Sequence, residues 1–285
     1  MKLNLKQSII GLYRRLPFPL AVALARGKPS LAFYIRTTPR SLLVKNYLGK
    51  FLVRVHTDSD VERRMLSKSY ELDTQAIVAR YVKPGQHVLD IGANVGAVTL
   101  AMAKAVGPQG HVDAFEPGPP IFAKLQENLR LNPAIRQVEA HRLGMADREG
   151  ELAWQESPSA PGNATIHWAD ANLPTTPVKI TTIDVFVKEK GVKSLDFIKI
   201  DVEGMELQVL QGGVESLRKF QPVLFFESSL ADDEQKAAAQ KIEGLLRDLG
   251  YRLYKVGAHG SVVETRYPDF SFETLALAPR HLAGG

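Results

Sequence analysis

From about residue 72 to the end of the chain, short apolar runs alternate with amphipathic stretches, the pattern of a mostly parallel sheet covered by helices. The spacing predicts strands over 87–91, 112–115, 138–141, 197–200 and 223–226. Between and before them it predicts helices over 72–82, 95–106, 121–131, 205–220 and 232–249, the fourth interrupted at Gly212 and Gly213. The end is different. Runs at 251–256 and 272–277 are strand-like and joined by a polar loop with no helix, which predicts a terminal antiparallel hairpin. Two segments stand outside the series: a strand candidate at 51–55, and a stretch over 150–180 that carries Pro158, Pro161, Pro174 and Pro177 and both tryptophans, Trp154 and Trp168. A long insertion of that kind in a compact domain is usually functional or mobile.

A chain of 285 residues with 45% hydrophobic content can bury one sizeable core. Cysteine is absent, which excludes disulfides, thiolate metal sites and a cysteine nucleophile. Charge is unevenly spread. Residues 1–57 hold eleven Lys and Arg and no Asp or Glu; of the 36 cations, 25 remain to face all 31 acids, so a basic arm precedes an acidic body. Leu3, Leu5, Ile9, Ile10, Leu12, Tyr13 and Leu16 alternate with cations there. This fits a helix lying on an anionic membrane face, or equally one packed on the domain with its cations in water. A signal peptide, with 16–25 as its apolar region, is the third reading. The expected division is an arm over 1–50 and a catalytic domain over 51–285, located in the cytoplasm, with peripheral contact at the inner membrane face through residues 1–50 as one reading of the arm.

The strongest chemical signal is Val88-Leu89-Asp90-Ile91-Gly92-Ala93-Asn94-Val95-Gly96. An apolar strand enters a Gly-rich turn that opens a helix, so backbone can approach a ligand and the helix N-terminus can offer its free N–H groups. Asp90 is placed to accept from an amino group, and Gly92 and Gly96 to leave room for an amino-acid moiety. Glu116 follows 26 residues later at the end of the second strand, where a carboxylate can accept both hydroxyls of a ribose; its other reading is an acidic helix cap. Asp147, after the third strand, is a candidate acceptor for an exocyclic amine, or a turn carboxylate. Asp201, Glu203 and Glu206 cluster at the carboxyl end of the fourth strand, where open α/β sheets bind ligands.

These residues carry a resemblance. Asp90-Ile91-Gly92-Ala93-Asn94-Val95-Gly96, Phe115-Glu116-Pro117, Thr182-Ile183-Asp184, Lys199-Ile200-Asp201-Val202-Glu203-Gly204-Met205-Glu206 with Gly212, and Leu224-Phe225-Phe226-Glu227 together resemble the FkbM family of S-adenosylmethionine-dependent methyltransferases, from about Ser69-Tyr70-Glu71 onward. The resemblance implies a class I methyltransferase (Rossmann-like) α/β fold with five parallel strands and a C-terminal antiparallel hairpin. It also implies S-adenosylmethionine as cofactor, held by Asp90, Gly92, Asn94, Gly96, Glu116 and Asp147. The implied reaction is O-methylation of a hydroxyl on a sugar, a glycan or a glycosylated natural product. The alternatives are a non-sugar small molecule as acceptor, or a non-catalytic S-adenosylmethionine-binding protein.

Methyl transfer from a sulfonium is an in-line displacement, so the enzyme must align the reactants and manage the nucleophile's proton. Asp201, Glu203 and His167 are the catalytic candidates, with His259 as a second histidine to test. Asp201 and Glu227 end adjacent strands and are candidates for Mg²⁺, although paired carboxylates there suit hydroxyls equally. His56, His87, His111 and His141 lie in or beside strands and read as structural. Trp154 and Trp168 read either as faces for a sugar ring or as a local core. A nicotinamide enzyme should show G-x-G-x-x-G, which this turn lacks. A nucleic-acid partner is disfavoured by the acidic body. The acceptor is therefore expected to be a small molecule or glycan.

Overall fold

The computed structural model describes residues 41–57, 59–65, 71–156, 164–165, 174–270 and 272–282. Strand β1 (Ser41–Tyr47) and strand β2 (Phe51–His56) form an antiparallel hairpin, followed by helix α1 (Asp60–Met65) and helix α2 (Leu72–Tyr81). The βα series then runs β3 (His87–Ile91), α3 (Ala97–Val106), β4 (His111–Phe115), α4 (Pro119–Arg130) and β5 (Val138–His141). A side sheet follows, made of β6 (Gly144–Met145), β7 (Gly150–Glu156), β8 (Ala164–Thr165) and β9 (Thr176–Thr181). The series resumes with α5 (Ile183–Glu189), β10 (Phe197–Ile200), α6 (Glu206–Gln211), α7 (Val214–Phe220), β11 (Val223–Glu227) and α8 (Asp233–Asp248), and ends with β12 (Arg252–Gly257), β13 (Ser261–Thr265) and β14 (Glu273–Leu277).

The main sheet has the order β13-β12-β14-β11-β10-β3-β4-β5. Strands β5, β4, β3, β10 and β11 are parallel, and β14 inserts antiparallel between β11 and β12. This is the expected class I methyltransferase arrangement. The polar loop of the terminal hairpin does contain regular structure, the edge strand β13, whose burial pattern is too exposed to give an apolar signal. Because the chain goes outward from β3 to β5 and then returns to β10 on the other side of β3, a topological switch point opens between β3 and β10. Ligands in such sheets bind there, outside the carboxyl ends of the strands.

Each face of the sheet has its own core. Leu89, Ile91, Phe115, Ile198, Ile200, Leu224 and Phe226 pack under the second half of the chain, and Val88, Val112, Phe197, Val223 and Phe225 pack with Ile77 of α2 and Met102 of α3 on the other side. Strict alternation of this kind is what a strand buried on both faces imposes. The helix interruption at Gly212 and Gly213 separates α6 from α7, because a Cβ at Gly212 would lie 2.0 Å from the Ala146 carbonyl oxygen.

The β1–β2 hairpin spans residue 50, where the sequence suggested a division. Tyr47, Phe51, Val53 and Val55 join Trp154 and Val178 in one buried cluster, so residues 41–50 pack with the domain rather than with an arm. Residues 1–40, with most of the arm's cations, lie outside the described residues. Among the described residues no helix is long and apolar enough to cross a membrane.

The insertion is partly a sheet, with β7 antiparallel to β9 in a register that places Trp154 opposite Thr176. The Trp154 side chain is buried against Gly118, where an added Cβ would fall 2.5 Å from the indole. It is a core residue, whereas Trp168 lies outside the described residues. Trp154→Ala should therefore cost about 3–5 kcal/mol of stability by emptying that cluster. Urea unfolding measures the loss, and an unchanged midpoint would remove Trp154 from the core.

Candidate active site

Two clefts open at the switch point and share Gly92, Asn94, Asp201 and Glu203. The first runs under Glu116 and is faced with Ile91, Ile121, Leu143, Met145 and Trp154. The second runs the other way, toward Glu71, Asp73, Glu227, His259 and Glu273. One side is apolar with a single deep carboxylate. The other is rich in acids.

Local backbone explains how the shared floor forms. Gly92, Asn94 and Gly96 all adopt left-handed φ of 79°, 49° and 92°, which lets the chain reverse from β3 into α3 within five residues. A Cβ on Gly92 would sit 1.7 Å from the Asp201 carbonyl oxygen, so this glycine is required by the close approach of the β10 turn. Gly96 caps α3 and would meet Leu125. Gly92 lines both clefts and Gly96 neither, and both glycines are also closely packed against the rest of the chain. Glu203, opposite Asn94's loop, is also left-handed at φ 54°. Two non-glycine residues in that region at one cleft are stored strain of the sort that concentrates at functional sites.

Beneath the floor, Lys199 carries the charge balance. Its ammonium lies 3.0 Å from Asp201 Oδ2, 3.7 Å from Asp90 Oδ1, and donates to the Gly92 carbonyl oxygen at 2.9 Å. Burial alone would pull its pKa down; Asp201 and Asp90 outweigh burial and hold it above the usual lysine range. Asp90 is fully buried and accepts from Thr99 Oγ1 at 2.6 Å. It reaches neither cleft. In this structure it holds Lys199 and Thr99 beneath the cleft floor.

Glu116 does face the first cleft. Its Oε2 accepts from the Asn94 N–H at 3.1 Å and its Oε1 from the Gly118 N–H at 2.8 Å. Burial pushes its pKa up to about 7 against the pull of those two N–H groups. The helix-cap reading is not realised as such, since Gly118 occupies the cap position of α4. Asp147 is exposed, pairs with Arg148 at 3.1 Å and lines neither cleft. The exposure matches the turn-carboxylate alternative: Ala146 donates its N–H to Thr181 O, and Gly144 and Met145 stand at the cleft wall.

The acids at the junction behave differently from one another. Asp201 is committed to Lys199. Glu203 is open to solvent at the cleft mouth, yet burial of its inner side, then Asp201 and Glu206, push it up to about 7. Glu227 is pushed up to about 9, first by burial and then by Asp201, and Glu273 to about 7 by burial and by Glu71. Glu206 accepts from the Val202 and Gly204 N–H groups and so ties the turn to α6. The magnesium expectation at Asp201 and Glu227 is not supported. Lys199 already balances Asp201, and among the described residues the groups able to offer three ligands to one ion all contain Asp113, elsewhere in the fold. His259 lines the second cleft and donates its backbone N–H to Asp73. His167 lies outside the described residues.

Glu71, Asp73 and Glu273 were not among the sequence candidates. The only signal for them was Glu71 in the resemblance that starts at Ser69-Tyr70-Glu71; Glu273 reaches the cleft because β14 pairs beside β11, with Glu227 opposite Glu273. The Thr182-Ile183-Asp184 motif proves to be structural. Thr182 Oγ1 accepts from Val185 N–H, and Asp184 accepts from the Glu215 and Ser216 N–H groups that open α7.

The lining of the first cleft has the chemistry a nucleoside needs. Apolar walls suit a base, and Glu116 offers carboxylate oxygens to vicinal hydroxyls. The profile of the family described as Methyltransferase FkbM domain matches residues 90–253. The chain is 30% identical over 193 residues to Methyltransferase sdnD of Sordaria araneosa, covering 58% of this chain and 73% of that protein. It is 28% identical over 192 residues to Hexuronic acid methyltransferase AglP of Haloferax volcanii, covering 64% and 71%. To 2-O-methyltransferase NoeI of Sinorhizobium fredii it is 30% identical over 159 residues, covering 50% and 63%.

Two outcomes follow from the charges. Glu116→Ala should weaken S-adenosylhomocysteine binding by about 1.5–3 kcal/mol through lost bonds to a charged acceptor. In the unaltered protein that affinity should strengthen as pH rises through about 7 and Glu116 ionises; calorimetry that finds equal affinity for the two folded proteins would free Glu116 of this role. Lys199→Met strands Asp90 and Asp201 without a cation and should cost about 3–5 kcal/mol in urea unfolding. The deficit should narrow as pH falls and Asp90, whose pKa burial raises, neutralises, and a pH-independent deficit would count against the ion pair as its source.

Proposed function

This chain belongs to the methyltransferase FkbM domain family, and from that premise we propose that it is an S-adenosylmethionine-dependent O-methyltransferase acting on a hydroxyl of a sugar, a glycan or a glycosylated natural product. The observation that carries this reading is the meeting of an apolar cleft that holds Glu116 and an acid-lined cleft at Asp201 and Glu203. The second cleft is walled by Glu71, Asp73, Glu227 and Glu273. An ionised carboxylate only accepts hydrogen bonds, whereas Glu227, with its pKa pushed up to about 9, is protonated at neutral pH and can also donate, so the wall suits a ligand whose hydroxyls both donate and accept. Similarity to proteins named for hexuronic acid methylation and for 2-O-methylation supports the same acceptor class. The tryptophans no longer support it, since Trp154 is in the core.

Bound S-adenosylmethionine supplies an electrophilic methyl carbon on a sulfonium. The chain's own residues must then hold the acceptor oxygen in line and take its proton. Asp201, paired with Lys199 at 3.0 Å, is suited to accept a hydrogen bond from the hydroxyl and orient it. Glu203, with its pKa near 7, is the better proton acceptor, because a general base works best when its pKa lies near the working pH. With the cofactor bound, the acceptor oxygen would receive its methyl group, and Glu203 would take the proton that the hydroxyl gives up.

Glu203→Gln should lower kcat by roughly 10²–10⁴ and remove the rise of kcat with pH through neutrality, leaving S-adenosylmethionine affinity nearly intact. Asp201→Asn should raise the acceptor KM as well as lower kcat, since it disturbs orientation. Product analysis by NMR after incubation with glycosides and with amines checks the acceptor atom. Methylation of nitrogen only, or a Glu203→Gln enzyme with an unaltered pH profile, would overturn this assignment.

A further inference from the structure

Away from the clefts, the sheet gathers three histidines around one buried aspartate. His87 and His111 are the first residues of β3 and β4 and face each other in the parallel register, with Asp113 two residues along the same face. His87 Nε2 lies 2.7 Å from Asp113 Oδ2 and His111 Nε2 lies 3.3 Å from Oδ1. The three donor atoms are within 4.8 Å of one another. We propose that His87, His111 and Asp113 bind a divalent transition-metal ion, Zn²⁺ being the ion this ligand set suits, as a staple at the amino ends of β3 and β4.

Donor chemistry favours that class of ion. Two imidazole nitrogens and one carboxylate oxygen are borderline ligands, taken by Zn²⁺ in preference to Mg²⁺ or Ca²⁺, which want oxygen throughout. Zinc–nitrogen and zinc–oxygen bonds of about 2.0–2.2 Å need only small side-chain rotations from the observed spacing. The surroundings already fix the ligands. The His87 and His111 rings meet edge to face with centroids 4.8 Å apart. Asp113 is held from its other side by His141, whose Nε2 lies 2.7 Å from Oδ1, and His141 is itself stacked on Phe115 and edged by Phe186. A carboxylate ligand oriented by an outer histidine is the arrangement that tunes metal sites. Access is open from one side only: the Asp113 side chain is 3% exposed, that of His87 18% and that of His111 39%. A solvent molecule can complete the coordination there.

The position says what the ion does. The ligands lie at the amino ends of the strands, the clefts at the carboxyl ends, so the staple stabilises the sheet and takes no part in methyl transfer. His141 comes from β5, the edge strand, so the same cluster also secures that edge. An ion that binds only the folded chain raises its stability by mass action.

The test uses the untagged full-length protein, stripped with chelator and titrated with ZnCl₂. Metal analysis after desalting should find about one zinc per chain, and zinc in hundredfold excess over Kd should raise Tm by about 5 °C. His87→Gln and His111→Gln should each cut zinc affinity by roughly tenfold or more while keeping the metal-free Tm close to that of the parent. His111 is the more exposed, so its variant carries the test if His87→Gln fails to fold. Chelator should lower Tm and leave the initial rate of methyl transfer unchanged. Failure to bind zinc saturably, or equal zinc content in both folded variants, would overturn the proposal and leave the histidines as hydrogen-bond donors to Asp113; neither result bears on the methyltransferase assignment, which the Glu203 and Glu116 variants test separately.

Discussion

A single buried ammonium holds the working end of this protein together. Lys199 sits on β10 between Asp90 of β3 and Asp201 of the following turn, and donates to the carbonyl oxygen of Gly92. Burying one lysine is costly unless it is paired and hydrogen-bonded, and here each partner belongs to an element that must be placed to within fractions of an ångström. The turn after β3 lies so near the turn after β10 that a methyl group does not fit between them. Electrostatics and steric exclusion thus fix the same junction from opposite sides.

Around that lysine the protein gathers more carboxylates than one cation can balance. Glu116, Glu203, Glu227 and Glu273 all have raised pKa values, and burial is the leading cause for each. A structure selected for stability alone would not crowd acids in this way, since each raised pKa favours the unfolded chain progressively as pH rises through the folded value. Groups whose pKa is moved toward neutrality are the ones that can exchange protons with a substrate. The strain in the backbone of Asn94 and Glu203 points to the same place.

The side sheet changes how the insertion should be understood. Its strands β7 and β9 close over the β1–β2 hairpin, and Trp154 joins the two in one core that also walls the apolar cleft. The insertion is therefore coupled to cofactor-side packing. Specificity for the acceptor is better sought among Glu71, Asp73, His259 and Glu273, which come from the segment before the first βα unit and from the terminal strands.

The sequence by itself determined the periodic part of this protein. The strands β3, β5 and β10 fall where the alternation of apolar runs with amphipathic stretches places them, β3 and β10 as buried central strands and β5 as a sheet edge, and Glu116, Asp201 and Glu203 were legible because strand ends in a parallel sheet converge. Helix α5, of seven residues, and the exposed strands β1 and β13 left no comparable pattern, since short or solvent-facing elements need no apolar period. Tertiary structure alone decided which acids face the clefts. Asp90 and Asp147 carry the same chemistry as Asp201, but one is sealed beneath a loop and the other turned to solvent. It also brought Glu273 beside Glu227 from 46 residues away in the chain, through an antiparallel pairing that no local signal encodes. Side-chain type is written residue by residue; the environment that sets its charge and reach is a property of distant segments meeting.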